Sequence, residues 1–225
     1  TRSASFSPDR VVYVRHLLLA EGPFAPDARD VPWKRAVLLV LAFGFVSGAV
    51  VGAFDLRPLQ MSFSGLKVPL LLALSTAICL PNFYAVNAVL GLRDDFPAAL
   101  RGVFAAQATV AVTLASLAPL VVLCYVSSSS YAFAIVANGV LFALAALAGQ
   151  VTLGVHYRRL VARDPRHAHA RRAWLVLYVF VAIQLAWGLR PFVGDPSLAT
   201  RFFREGAWTN AYVVVVRAVA ALFGS

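Results

Sequence analysis

"AVLLVLAFGFVSGAVVGAF", residues 36–54, runs for nineteen positions without a charged side chain. A helix rises 1.5 Å per residue, so about 20 such residues cross roughly 30 Å of hydrocarbon with every backbone group bonded inside the segment. Comparable runs recur along the chain, which is 60% hydrophobic and only 13% charged over 225 residues. A soluble domain of this length sits near half apolar and a quarter charged, so this composition exceeds what one could bury. No stretch shows the long alternation of barrel strands. The predicted fold class is therefore an all-α integral membrane protein, a polytopic bundle of about six transmembrane helices.

Working outward, the spans are expected at about 36–54, 68–92, 103–126, 131–155, 174–189 and 208–223. The last is short and carries Arg217, which would have to reach an interface or a partner. Only four serines separate the third and fourth spans, a tight antiparallel hairpin. Ahead of the first span, residues 7–20 read as a short amphipathic helix. Ser7 is placed to cap it, Pro8 to start it, Asp9 to meet its positive first turn, and Val11, Val14 and Leu18 follow at helical spacing. Three prolines then make residues 21–33 an extended connector. The expected division is 1–32, helix and connector, and 33–225, membrane domain. Some thirty mixed residues precede the first long apolar run, so the first span is expected to direct insertion itself.

Lys and Arg divide fifteen to five between the two sides of a six-span chain. The positive-inside rule then places both termini in the cytoplasm, in a cytoplasmic (inner) membrane. Arginine outnumbers lysine 18 to 2 and Ala and Val abound, which points to a GC-rich bacterial source. Cys79 and Cys124 lie inside apolar runs and act as small hydrophobes.

Gly44, Gly48 and Gly52 repeat every fourth residue, a doubled G-x-x-x-G that strips one helix face so another backbone can approach. Its expected use is helix packing within the chain, or contact with another subunit or a second copy. Thr109, Thr113 and Ser116 form a small, weakly polar stripe on the third span. Asn138, Ala145, Gly149 and Thr152 form one on the fourth.

The stretch "STAICLPNFYAVNAVLGLRDD", residues 75–95, interrupts this greasiness with Pro81, Asn82, Tyr84 and Asn87. Pro81 cannot donate to the carbonyl of Ala77, so a kink is expected near the membrane middle. Broken helices lined by polar groups are how many transporters build sites. A passive channel or small-solute transporter lined by Asn82, Tyr84 and Asn87, with Pro119 opposite, is the alternative function. No Asp or Glu lies well inside the first five spans, which disfavours a coupled pump.

Catalytic signatures are thin. His167 and His169 form an H-x-H with only Asp164 near, and Asp94 with Asp95 lacks a partner cluster. No metal, cofactor or enzymatic activity is expected. The basic stretch 156–172, with Arg158, Arg159 and Arg163, reads as a cytoplasmic loop against anionic lipid rather than nucleic acid. On the far side, residues 187–208 combine Arg190, Arg201 and Arg204 with Phe202 and Phe203, a surface for lipid or partner contact. The function these features predict is a non-catalytic structural or docking subunit of a membrane complex, its partners being membrane lipids, other subunits or its own copies.

Overall fold

The structure is a computed structural model that describes residues 33–204 together with Leu17 and Val213. Residues 33–204 hold six helices among the described residues: α1 (Trp33–Val51), α2 (Pro58–Val89), α3 (Phe96–Ser116), α4 (Ala118–Ser127), α5 (Tyr131–Arg163) and α6 (Arg166–Leu189). Among the described residues there is no strand. Because α3 and α4 run on as one length, Phe96–Ser127, five lengths among the described residues are long and apolar enough to cross a membrane. The sixth expected span and most of the expected amphipathic helix lie outside the described residues. Leu17 is helical and buried in one core cluster with Ala36 and Val40 of α1.

Local chemistry sets the helix starts. Pro occupies an early position of α2, α3 and α4, where its missing N–H is one that a helix start leaves unbonded anyway. Ser130 caps α5 by accepting from the Phe133 amide at 3.3 Å. α2 is followed after its cap Leu90 by Gly91, whose φ of +73° suits glycine. The Arg166 guanidinium grips Asp164 and also donates to the Leu90 carbonyl at 2.9 Å, tying the two turns at that end together.

The helices alternate in direction. One end of the bundle, the Asp95 end, carries the turns 90–95 and 164–165. The other, the Pro191 end, carries 52–57, 128–130 and the segment 190–204. α1 packs against α2 and α3, α3 against α5, and α2 against α6.

Three expected features read differently in the helices. The helix that carries the second expected span starts at Pro58, ten residues ahead of the expected span start at 68, and Lys67 lies inside it with no exposed surface. The stretch 156–172 is helical except for Asp164 and Pro165, since α5 continues to Arg163 and α6 starts at Arg166. No helix break occurs at Pro81. α2 runs through both Pro69 and Pro81, and with its true start Pro81 falls near its end instead of its middle. The interruption is instead at Leu117, one residue before α4, where Pro119 withholds a donor and its ring crowds the carbonyl one turn back.

Candidate functional site

The glycine row sets the bundle's closest approach. A Cβ on Gly44 would sit 3.3 Å from the Pro69 side chain, one on Gly52 would sit 2.8 Å from the Gln60 carbonyl, and one on Gly48 would overlap the Ser64 carbonyl. The α1 glycines therefore face α2 inside the same chain, in antiparallel register. The second stripe does the same for α5 against α3. Ala145 is fully buried, and a Cβ on Gly149 would meet Val110 at 2.5 Å and the Ala106 carbonyl at 3.1 Å. Thr152 donates to Thr109 across this contact at 3.2 Å.

At the Pro191 end, segment 190–204 folds back onto the first turns of α2. Gln60, Ser64 and Lys67 share one α2 face at spacings of four and three, and all three are buried. Each meets a carbonyl of the returning segment. Lys67 Nζ donates to Pro191 at 2.7 Å, Ser64 Oγ to Phe192 at 2.5 Å, and Gln60 Nε2 to Phe192 at 3.2 Å. Gly194 fits because a Cβ there would touch Gln60 Cγ at 2.8 Å. The Lys67 ammonium also lies 4.9 Å from the Phe202 ring centre, a cation–π contact. Among the described residues, no carboxylate lies within ion-pair distance of it.

Arginines complete the clamp. Arg57 pairs with Asp55 and donates to the Leu198 and Pro196 carbonyls at 2.8 and 2.7 Å. Arg204 Nη2 reaches the Tyr131 hydroxyl at 3.2 Å and Asp195 at 3.5 Å. Between them opens a cleft of about 330 Å³ lined by Arg57, Gln60, Asp195, Arg201 and Arg204 among others. The Asp195 carboxyl is held below its ordinary range, first by the Ser197 hydroxyl and amide and then by Arg204 and Arg57. Burial lowers the Arg190 guanidinium, and the neighbouring positive charge of Arg204 lowers it further. That guanidinium stacks 3.4 Å from the Trp187 ring centre.

The four residues predicted to line a pathway are dispersed. Asn82, Tyr84 and Pro119 are exposed on outer faces, while Asn87 is buried and donates to the Phe83 carbonyl of its own helix at 2.8 Å. Pro81 lies eight residues from the α2 end and Pro119 twenty-three residues into the third span. At 1.5 Å per residue they sit about 20 Å apart in depth. Because Asn82 faces outward, Asn82→Leu is expected to shift stability by no more than about 0.5 kcal/mol in thermal unfolding. A loss above about 1 kcal/mol would instead reveal a buried partner for it.

At the Asp95 end, Arg158, Arg159 and Arg163 form an exposed basic collar on the last turns of α5. Beneath them buried His167 meets Asp95 through Nε2 at 3.1 Å. Among the described residues, no group of three or more His, Cys, Asp or Glu side chains is placed to hold a metal ion.

The sequence reading located Arg190, Phe202 and Phe203 but missed Gln60, Ser64 and Lys67. The readable signal was a polar stripe at 60, 64 and 67 directly after Arg57-Pro58, which marks a helix start with one polar face. The chain matches no protein-family model, no curated protein and no solved structure.

Proposed function

We propose that the protein is a non-catalytic structural and docking subunit of a complex in a cytoplasmic membrane. It spans that membrane six times with both termini on the cytoplasmic side, where the basic collar of α5 meets anionic lipid. The observation that carries this reading is the fixation of segment 190–204. A connector that only joined two spans would not need three α2 side chains and Arg57 bonded to it and its own Arg204 bonded to Tyr131 of α5. A segment already held in one conformation loses little further entropy when a partner binds, which is what a docking surface requires. The glycine and small-residue rows are occupied by the chain's own helices, so contacts to other subunits fall on this pinned surface and on the outer faces of α5 and α6. The dispersal of Asn82, Tyr84, Asn87 and Pro119 weighs against a solute pathway through Pro81.

Native mass spectrometry of the protein extracted gently from its own membrane tests the proposal. The expected result is a defined assembly with other polypeptides, lost when Phe203, an exposed residue of the segment, is replaced by aspartate. A monodisperse, monomeric chain with no copurifying polypeptide would overturn it.

A further inference from the structure

We infer that the cleft at the Pro191 end binds a neutral sugar ring, free or carried as the headgroup of a lipid. The first ground is a polar side chain set to receive a donor. Gln60 is 2% exposed and lines the cleft. Its Nε2 is committed to Ser64 Oγ at 3.0 Å and to the Phe192 and Pro191 carbonyls at 3.2 and 3.4 Å. Carbonyls accept and never donate, so the amide nitrogen must face them and the amide oxygen is turned away from them. That Oε1 accepts from no group among the described residues. An acceptor withdrawn from water without a donor is costly, and a ligand hydroxyl removes the cost.

The second ground is that the other uncommitted groups of the lining are of both kinds. Asp195 Oδ1 accepts from the Ser197 amide and hydroxyl, while Oδ2 meets only Arg204, at 3.5 Å. The Thr200 hydroxyl, able to give and to take, has no partner among the described residues. Arg204 makes both of its side-chain contacts through Nη2, which leaves the donors of Nε and Nη1. Acceptors and donors side by side suit hydroxyl groups, each of which donates once and accepts twice.

The third ground is charge and shape. Arg57 is matched by Asp55 and Arg204 by Asp195, and Arg201 is engaged as well. An anion would have to compete for arginines already taken, and a cation would be set among three of them. A neutral ligand does neither. Pro191, Leu198 and Ala199 add an apolar part to the lining, which suits a ring with C–H faces and a rim of hydroxyls. A volume of about 330 Å³, at the small end of ligand sites, takes one such ring rather than a chain of them. Arg57 holds the Pro196 and Leu198 carbonyls, so the cleft is built before any ligand arrives.

The inference shares segment 190–204 with the docking proposal but needs no polypeptide partner, and its readout is separate. Purified full-length protein, washed free of lipid in a detergent without sugar, is titrated with short-chain glucosyl and galactosyl diacylglycerol. Bare diacylglycerol and phosphatidylglycerol of the same chain length serve as comparisons. The expected result is that a glycosyl lipid is retained about tenfold tighter than either, the effect of one or two net hydrogen bonds, with no dependence on salt. Gln60 also holds the segment, so the variant is Thr200→Val, which should weaken retention about fivefold, the loss of one such bond. Ser129→Ala, an exposed hydroxyl at the same end, should leave it unchanged. If the free sugar displaces the lipid, the ring alone is a ligand the cleft accepts. If it does not, the headgroup is the source. Equal retention of glycosyl and bare diacylglycerol, tighter and salt-dependent retention of phosphatidylglycerol, or Thr200→Val behaving as Ser129→Ala would each overturn the inference. Should Thr200→Val unfold, the wild-type lipid preference and its indifference to salt decide alone.

Discussion

Gly48→Ala is expected to cost about 3 kcal/mol, the upper end of the usual range for over-packing, although it adds one methyl group. The reason is what the methyl meets. At most core positions an inserted carbon displaces a side chain that can change rotamer, but at Gly48 it would overlap the Ser64 carbonyl of α2, which is backbone. Only separation of α1 from α2 relieves that overlap. Separation also disturbs the Gly52 contact with Gln60 and Ser64, two of the α2 residues that hold segment 190–204. At about 2–4 °C per kcal/mol for a chain of this size, thermal unfolding in mild detergent should shift down by roughly 6–12 °C. Gly139→Ala is the matched control, since a Cβ there meets nothing within 4 Å. It should change stability by less than about 0.5 kcal/mol, with alanine's better helix propensity acting in its favour. Equal melting temperatures for the two variants would show that the glycine row does not set the α1–α2 distance.

The glycine spacing shows how far sequence reading reaches and where it stops. Intervals of four residues on an apolar helix state that one face is stripped, because periodicity is a property of the helix itself. They do not state which helix comes to that face. The partner is fixed by register with α2, where Gly44 meets Pro69, Gly48 meets Ser64 and Gly52 meets Gln60. That register depends on α2 already being helical from Pro58, ten residues ahead of the apolar run expected at 68–92. Hydropathy windows average over side chains, and a lone lysine in a polar stripe lowers the window enough to push the apparent start of the helix ten residues late.

Pro81 and Pro119 illustrate the converse. Both have the same local chemistry, the loss of one donor and a ring against the preceding turn. Yet helix α2 continues through Pro81, whereas Pro119 stands at the start of a separate helix. Composition around the two gives no basis for choosing between them. Asn82 and Asn87 looked like pathway residues because polar side chains in an apolar run demand an explanation. In three dimensions the explanations differ, since one faces outward and the other bonds to its own helix. The arginine and phenylalanine composition of 190–204 was legible, but its return into the bundle was not. That return is a long-range pairing between residues some 130 positions apart.

Lys67→Glu is expected to release segment 190–204 while leaving the helices assembled. Lys67 lies nine residues into α2, about 14 Å along its axis, so its ammonium is distant from bulk water at the end of the bundle. It is held there by the Pro191 carbonyl at 2.7 Å and the face of Phe202. Glutamate reverses both interactions. A carboxylate has no proton to give the carbonyl, and an anion over the ring face meets the negative pole of its quadrupole. Lys67→Met separates charge from shape. It leaves the Pro191 carbonyl unbonded, at about 1–3 kcal/mol, but it also removes the cost of burying an ammonium, so the two effects partly cancel. Breaking a buried polar contact by inserting the wrong charge instead costs about 3–5 kcal/mol, with no such offset. Each 1.4 kcal/mol is a factor of ten in the open population. Trypsin cleavage after Arg204, whose amide is bonded to the Arg190 carbonyl at 3.3 Å, reads that population directly. Cleavage should accelerate by about a hundredfold in Lys67→Glu and by less than tenfold in Lys67→Met, with cleavage at the exposed Arg163 unchanged in both. An unchanged rate in Lys67→Glu would mean that Gln60, Ser64 and the arginines hold the segment without the lysine. Acceleration at both sites together would mean that the lysine stabilises the whole bundle and not the segment alone.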